Sequence, residues 1–259
     1  MEPKEQKLEI DYEDLTQNLT YFFRSGKLGT VLWLHAFCCG KEDFEPAFSN
    51  QLLDGYALAA FDFPGSSHSP YPENTTYSFD DLVEMVKIFI EKLNLKNVIA
   101  IGHSTGSLIA SLLAERYPNL VRAVVSVEGN MDLGDCWLTQ KIAGNSYEKF
   151  TQEILPEYLK GLVGGPIEVY GAHLKRADPK SAYDYAESVL KYSKIGLETF
   201  LALKLPKLYI YCSQNSSLPY LNIMKKETNV IEIPDSNHWP IYDNPEAFFK
   251  ALFDFLRSL

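Results

Sequence analysis

The stretch Gly102-His103-Ser104-Thr105-Gly106 is the part of the chain best suited to chemistry. It follows the apolar run "NVIAI" and leads straight into the apolar "SLIASLLAERYP". A strand that turns directly into a helix leaves no room for side chains beside the turning residue. Glycines at 102 and 106 meet that need, and the turn lifts the Ser104 hydroxyl clear of the sheet at the following helix N-terminus. A serine so presented serves as a nucleophile once a base removes its proton. Five histidines are candidates: 35, 68, 103, 173 and 238. Only His238 follows the last strand-like run, on a segment able to reach over Ser104 as general base and then general acid. His35 and His103 lie within the loops around the nucleophile and are expected to support them, with substrate contact a second possibility.

The elements that must position these groups are short apolar runs: "GTVLWLHAF" (29–37), "YALAAFDFPG" (56–65), "NVIAIGHS" (97–104), "AVVSVEG" (123–129), "KLYIYCS" (207–213) and "NVIEIPDS" (229–236). Near-continuous Val, Leu, Ile and Ala suits strands buried on both faces. The early "KLEIDYEDLTQNLTYFFRSG" alternates instead, as antiparallel strands at a sheet edge do. Between the runs lie helical patterns. One opens at Ser78 with Asp81 three residues on, and another at Asn244 with Pro245 in the first helical position. The alternation predicts an α/β fold: a mostly parallel central sheet flanked by helices. Residues 131–204 interrupt it with helices broken at Gly144, Gly161, 164–166 and Pro179. They are expected to form an inserted helical cap over the sheet's carboxyl edge, with residues 1–130 and 205–259 making the core.

Four motifs, in order, resemble those of the α/β-hydrolase fold superfamily over nearly the whole chain: "LHAFCCGKEDF", "DFPGSSHSP", "GHSTG" and "PDSNHWPIYDNPEAFF". The departures are Ala36, Ser66, Ser67 and Asn237. The resemblance implies an oxyanion hole made by the backbone N–H groups of Phe37 and Thr105. Ala36, where the pattern has Gly, makes that hole depend on the backbone angle at position 36. The resemblance also places a catalytic acid near Asn215, where "YCSQNSSLP" offers none. Three readings follow. The acid has moved to Glu128, at the end of the strand beside the serine strand. It is Asp235, three residues before the histidine. Or the triad is degraded. Glu128 is preferred, because a buried carboxylate at a strand end needs a partner and His238 provides one. Its alternative is an ion pair with Arg122 or a lysine of the cap. Asp62 more plausibly braces the Pro-Gly loop.

The resulting expectation is a serine esterase working through Ser104, His238 and Glu128 on a small or medium ester. Trp137, Tyr147, Tyr170, Tyr183, Tyr185, Tyr192 and Trp239 are candidate pocket aromatics. The same groups would serve thioester, amide, perhydrolysis or C–C hydrolysis, whereas a dehalogenase or epoxide hydrolase would need a carboxylate nucleophile. The rival class is a non-catalytic ligand receptor on a hydrolase scaffold, favoured by Asn215 and Ala36.

Composition bounds these readings. The 259 residues are 46% hydrophobic and 22% charged, with net charge -10 and a pI near 5.0. That balance argues against a nucleic-acid partner, which requires clustered Lys and Arg. Cys38, Cys39, Cys136 and Cys212 show no zinc-like spacing and are expected to pack as reduced thiols. No metal or organic cofactor is implied. The charged N-terminus resembles no secretory leader and no run is long enough to span a bilayer, so a cytoplasmic protein is expected.

Overall fold

Apolar runs of five to seven residues fold as strands here because both faces of the sheet are covered. The computed structural model describes residues 3–164 and 168–259. Eight strands form one sheet: β1 Glu5–Tyr12, β2 Leu15–Arg24, β3 Thr30–Leu34, β4 Ala57–Phe61, β5 Val98–His103, β6 Val121–Val127, β7 Lys207–Cys212 and β8 Asn229–Ile233. Their order is β1-β2-β4-β3-β5-β6-β7-β8. β1 and β2 pair antiparallel, as do β2 and β4, and the remaining pairs are parallel. The alternating N-terminal run thus forms the antiparallel edge, and every residue of β3, β4 and β5 is buried.

The helix Phe79–Lys92 begins with a full capping box. Ser78 accepts from the Asp81 N–H, and the Asp81 carboxylate accepts from the Ser78 N–H. The closing helix Pro245–Arg257 starts with Asn244 Oδ1 accepting from the Ala247 N–H. Between β6 and β7 the chain is helical, including Leu155–Leu162, Glu168–Arg176, Pro179–Ser193 and Gly196–Ala202. Of the expected break at 164–166, positions 165 and 166 lie outside the described residues. This segment is tied to the loops leaving the parallel strands. Tyr170 donates to the Phe37 carbonyl at 3.0 Å, Tyr185 to the Pro64 carbonyl at 2.8 Å, and the Asp178 N–H to the Gly65 carbonyl at 2.8 Å. Its last part instead flanks the sheet, with Gly196 set close against Leu108 of the helix that follows β5.

Register decides where the functional loops emerge. Gly102 of β5 pairs with Leu34 of β3 on one side and Ser126 of β6 on the other. The segments after Leu34, His103 and Val127 therefore leave the sheet side by side at its carboxyl edge, where open α/β sheets place ligands.

Candidate active site

Ser104 holds a left-handed backbone, φ 51°. The turn is as tight as its glycines suggest. A Cβ on Gly102 would lie 2.3 Å from the Gly106 carbonyl oxygen, and one on Gly106 would lie 2.2 Å from that of Leu34. The Ser104 N–H is held by the Val127 carbonyl at 2.8 Å, which ties the nucleophile to β6. Among the described residues the Ser104 hydroxyl bonds not to His238 but to Asn130 Oδ1, at 3.3 Å. Asn130 is buried, and its Nδ2 donates to the Asp135 carbonyl at 3.3 Å, so its oxygen is the atom left to face the serine.

β6 ends in Glu128, again left-handed at φ 50°, whose side chain is 1% exposed. Its Oε1 accepts the Cys212 N–H at 2.6 Å. Its Oε2 accepts Asn215 Nδ2 at 2.5 Å and faces His238 Nδ1 at 3.1 Å. Burial pushes the Glu128 carboxyl up, but His238 and the Cys212 N–H outweigh it and hold the group below its usual range. Nδ1–H of His238 thus points at a carboxylate, which leaves Nε2 as the basic nitrogen. Asn215, at the position where the motif expects an acid, instead donates to the Glu128 carboxylate of the neighbouring strand. The alternatives for Glu128 do not form: Arg122 bonds the Leu259 carbonyl, and among the described residues no lysine pairs with Glu128. Asp235 is an exposed left-handed turn residue. Asp62 accepts from Thr20, Lys41 and the His68 N–H, bracing its loop.

Phe37 and Thr105 line the same cavity as Ser104 and His238, and among the described residues neither backbone N–H is used elsewhere. Ala36 takes no left-handed angle; Cys38, at φ 59°, does. The loop thus turns one step beyond the position where the family pattern keeps glycine. Tyr170 fixes this loop through the Phe37 carbonyl. We expect Tyr170→Phe to lower kcat by about tenfold, since small misplacement of a preorganised donor is costly. Steady-state rates on a short-chain ester check this, with an unchanged melting profile as the control.

His35 and His103 are not brought to the cavity. His35 is locked between the Ala36 carbonyl (2.8 Å) and the Phe63 N–H (3.0 Å). His103 Nε2 meets the His238 carbonyl at 2.6 Å, so it positions the catalytic loop rather than substrate. Burial, with the nearby His238 charge, lowers the pKa of His103 to about 4 from 6.5. Below 6.5 the unfolded chain takes up a proton that the folded chain refuses. Stability therefore falls as pH drops from 6.5 toward 4. Between pH 7 and 5 the loss attributable to His103 is about 2 kcal/mol. Urea midpoints at the two pH values test this, and His103→Gln should reduce the difference by that amount, leaving the share of buried His35, whose pKa burial also lowers. Glu128, whose pKa is lowered, adds its loss only as pH falls below 4.5.

Of the candidate pocket aromatics, Trp137, Tyr170 and Trp239 line the cavity. Tyr147 packs on Tyr183, which donates to the Asn145 carbonyl; Tyr185 and Tyr192 are committed to Pro64 and Asp80. Asn130 has no motif around it to mark it in the sequence. Among the described residues two side-chain clusters have the composition of metal sites, but neither has the chemistry. In Cys39, Asp43 and His173, Arg176 donates to His173 Nδ1, so Nε2–H is the donor facing Asp43 at 3.0 Å. In Glu5, Glu42 and His68, the Lys41 ammonium already pairs with both carboxylates. All four cysteines are free and buried.

The sequence matches the alpha/beta hydrolase fold family over residues 29–164, just over half the chain. The chain belongs to this family. A Mycoplasma pneumoniae protein named as a candidate esterase/lipase is 26% identical over 262 residues, spanning 95% of this chain and 96% of that protein. Methylesterase 7 of Arabidopsis thaliana is 22% identical over 85% of this chain and 94% of its own length. A solved thermophilic esterase from Thermogutta terrifontis superposes with a TM-score of 0.79 at 16% identity, covering 98% of both chains. That likeness is one of fold. Among the described residues no helix is long and apolar enough to cross a membrane.

Proposed function

We propose that this α/β-hydrolase is a carboxylesterase that uses Ser104, His238 and Glu128, with residues 131–204 acting as its cap. The observation that carries the reading is the 3.1 Å contact between His238 Nδ1 and the buried Glu128, with His238 lining the cavity that Ser104 also lines. It is joined by the esterase and methylesterase names among the full-length relatives.

In this reading substrate turns the serine hydroxyl from Asn130 to His238 Nε2, a tightening common on forming the Michaelis complex. Ser104 Oγ attacks the ester carbonyl as His238 takes its proton, and Phe37 and Thr105 N–H groups hold the oxyanion. Collapse breaks the ester C–O bond, and His238 hands the proton to the departing alcohol. A water then attacks the acyl-serine, giving its proton to His238 and releasing the acid and free Ser104. Glu128 stays ionised throughout and stabilises the imidazolium.

The cavity is about 40 Å³, within a cleft whose open space, mouth included, is about 410 Å³. It suits a short acyl group. Labelling with a small fluorophosphonate, read by intact mass, tests the proposal: one adduct on Ser104, absent in Ser104→Ala, is expected. Absence of any adduct, together with no hydrolysis of short esters, would favour the ligand-receptor reading, for which the resting Ser104–Asn130 bond is the supporting feature.

A further inference from the structure

Building on the esterase reading, we infer that the ester's alcohol portion carries an aromatic ring. The side from which the alcohol leaves is set by His238, because this group must protonate it. A continuous file of rings runs outward from that histidine. His238 to Trp239 is 5.0 Å between centroids, Trp239 to Tyr170 is 5.8 Å, Tyr170 to Trp137 is 6.4 Å, and Trp137 to Tyr158 is 5.6 Å. Trp239, Tyr170 and Trp137 all line the catalytic cavity. Trp137 is 45% exposed, so the file reaches from the catalytic base to solvent.

Most polar side-chain groups of the wall are already occupied, although among the described residues the buried Trp239 Nε1 has no partner. Tyr170 OH is spent on the Phe37 carbonyl, Thr139 Oγ1 on the Cys136 carbonyl at 3.3 Å, and Asn130 Nδ2 on the Asp135 carbonyl. Asp135 accepts from the Met131 N–H at 2.8 Å and lies within reach of Tyr220 OH. A charged or sugar-like alcohol would find few open partners here and would lose its water. A flat ring would instead meet ring faces and edges at the separations aromatic pairs prefer. Trp137 packs one side on Tyr170 and Tyr158 and leaves the other in water, where it provides a first contact for such a ring.

Benzyl acetate and cyclohexylmethyl acetate separate this effect from reactivity. They share the acyl group, match in size, and release alcohols of similar acidity; only one has a ring with π faces. We expect kcat/KM to favour the benzyl ester by about 10-fold, equivalent to about 1.4 kcal/mol, the size of one aromatic pair. Trp137→Leu should bring the ratio below about 3. The ratio is internal to each protein, so a general structural loss would not move it. A wild-type ratio near 1, or one that Trp137→Leu leaves unchanged, overturns the inference. Phosphonate labelling of Ser104 with neither acetate hydrolysed overturns it alone. No labelling and no hydrolysis removes the esterase reading, and this inference with it.

Discussion

Glu128→Gln should slow phosphonate labelling of Ser104 by about 10³- to 10⁴-fold, the scale of an acid-to-amide change in a serine–histidine–acid triad. The charge that steadies the imidazolium is lost. A single amide oxygen must then serve three donors, the Cys212 N–H, Asn215 Nδ2 and His238 Nδ1, and the new NH2 group faces whichever of them that oxygen does not reach. With its side chain 1% exposed and bonded to Cys212, Asn215 and His238, Glu128 has no water to replace those partners. Circular dichroism and the melting temperature must show that the variant folds, because a buried charge network can also support structure. The companion variant makes the result specific. Asn215→Asp in the Glu128→Gln background returns a carboxylate to the strand that usually bears it. It should recover at least about tenfold of the labelling rate, in line with electrostatic support of the histidine. Labelling unaffected by Glu128→Gln would remove the glutamate from the mechanism.

Ser104→Ala and Ser104→Gly should both abolish turnover, by about 10⁵-fold or more, yet differ in stability. Alanine inherits the left-handed φ of 51° that serine endures at this turn. Glycine takes that conformation without cost. The glycine variant is therefore expected to be the more stable of the two by about 1 kcal/mol, a shift of about 2–4 °C in Tm for a chain of this size. Both variants lose the Asn130 bond, so it cancels in the comparison. Equal stabilities would mean that the elbow is unstrained and that its tightness is set by Gly102 and Gly106 alone.

The sheet was readable because burial on both faces leaves a continuous apolar signature in β3 to β7, while β8, an edge strand with only Ile233 buried, was legible from its Val and Ile alone. The apolar run 29–37 extends past its strand, which ends at Leu34. His35, Ala36 and Phe37 are as apolar or compact as the strand before them, but the backbone leaves the sheet after Leu34, and Ala36 and Phe37 line the cavity. The proposed triad was readable in part. Ser104 stands in a turn that permits few sequences, and Glu128 is the strand-end carboxylate beside it where Asn215 offers no acid. Asn130 was not readable: its role comes from where β6 ends relative to β5, and pairing register leaves no mark on one strand's sequence. The aromatics were readable as a population only. Which of them face the cavity depends on how the helices after β6 are rotated, and short amphipathic helices rich in Tyr permit several rotations.

Ser104 and Glu128 belong to one strand–helix–strand unit, with only the helix Gly106–Arg116 between their strands. The contacts that fix their spacing, Gly102 with Ser126 and His103 with Val127, are local by the measure of contact order. His238 is different: its bond to Glu128 closes a separation of 110 residues. The proposed nucleophile and acid thus share one local unit, and the proposed base comes from a distant segment of the chain. A fluctuation that loosens only the segment after β8 would silence the enzyme while the rest of the site stays formed. Hydrogen exchange should accordingly place the amides around His238 in a less protected class than those of β5 and β6.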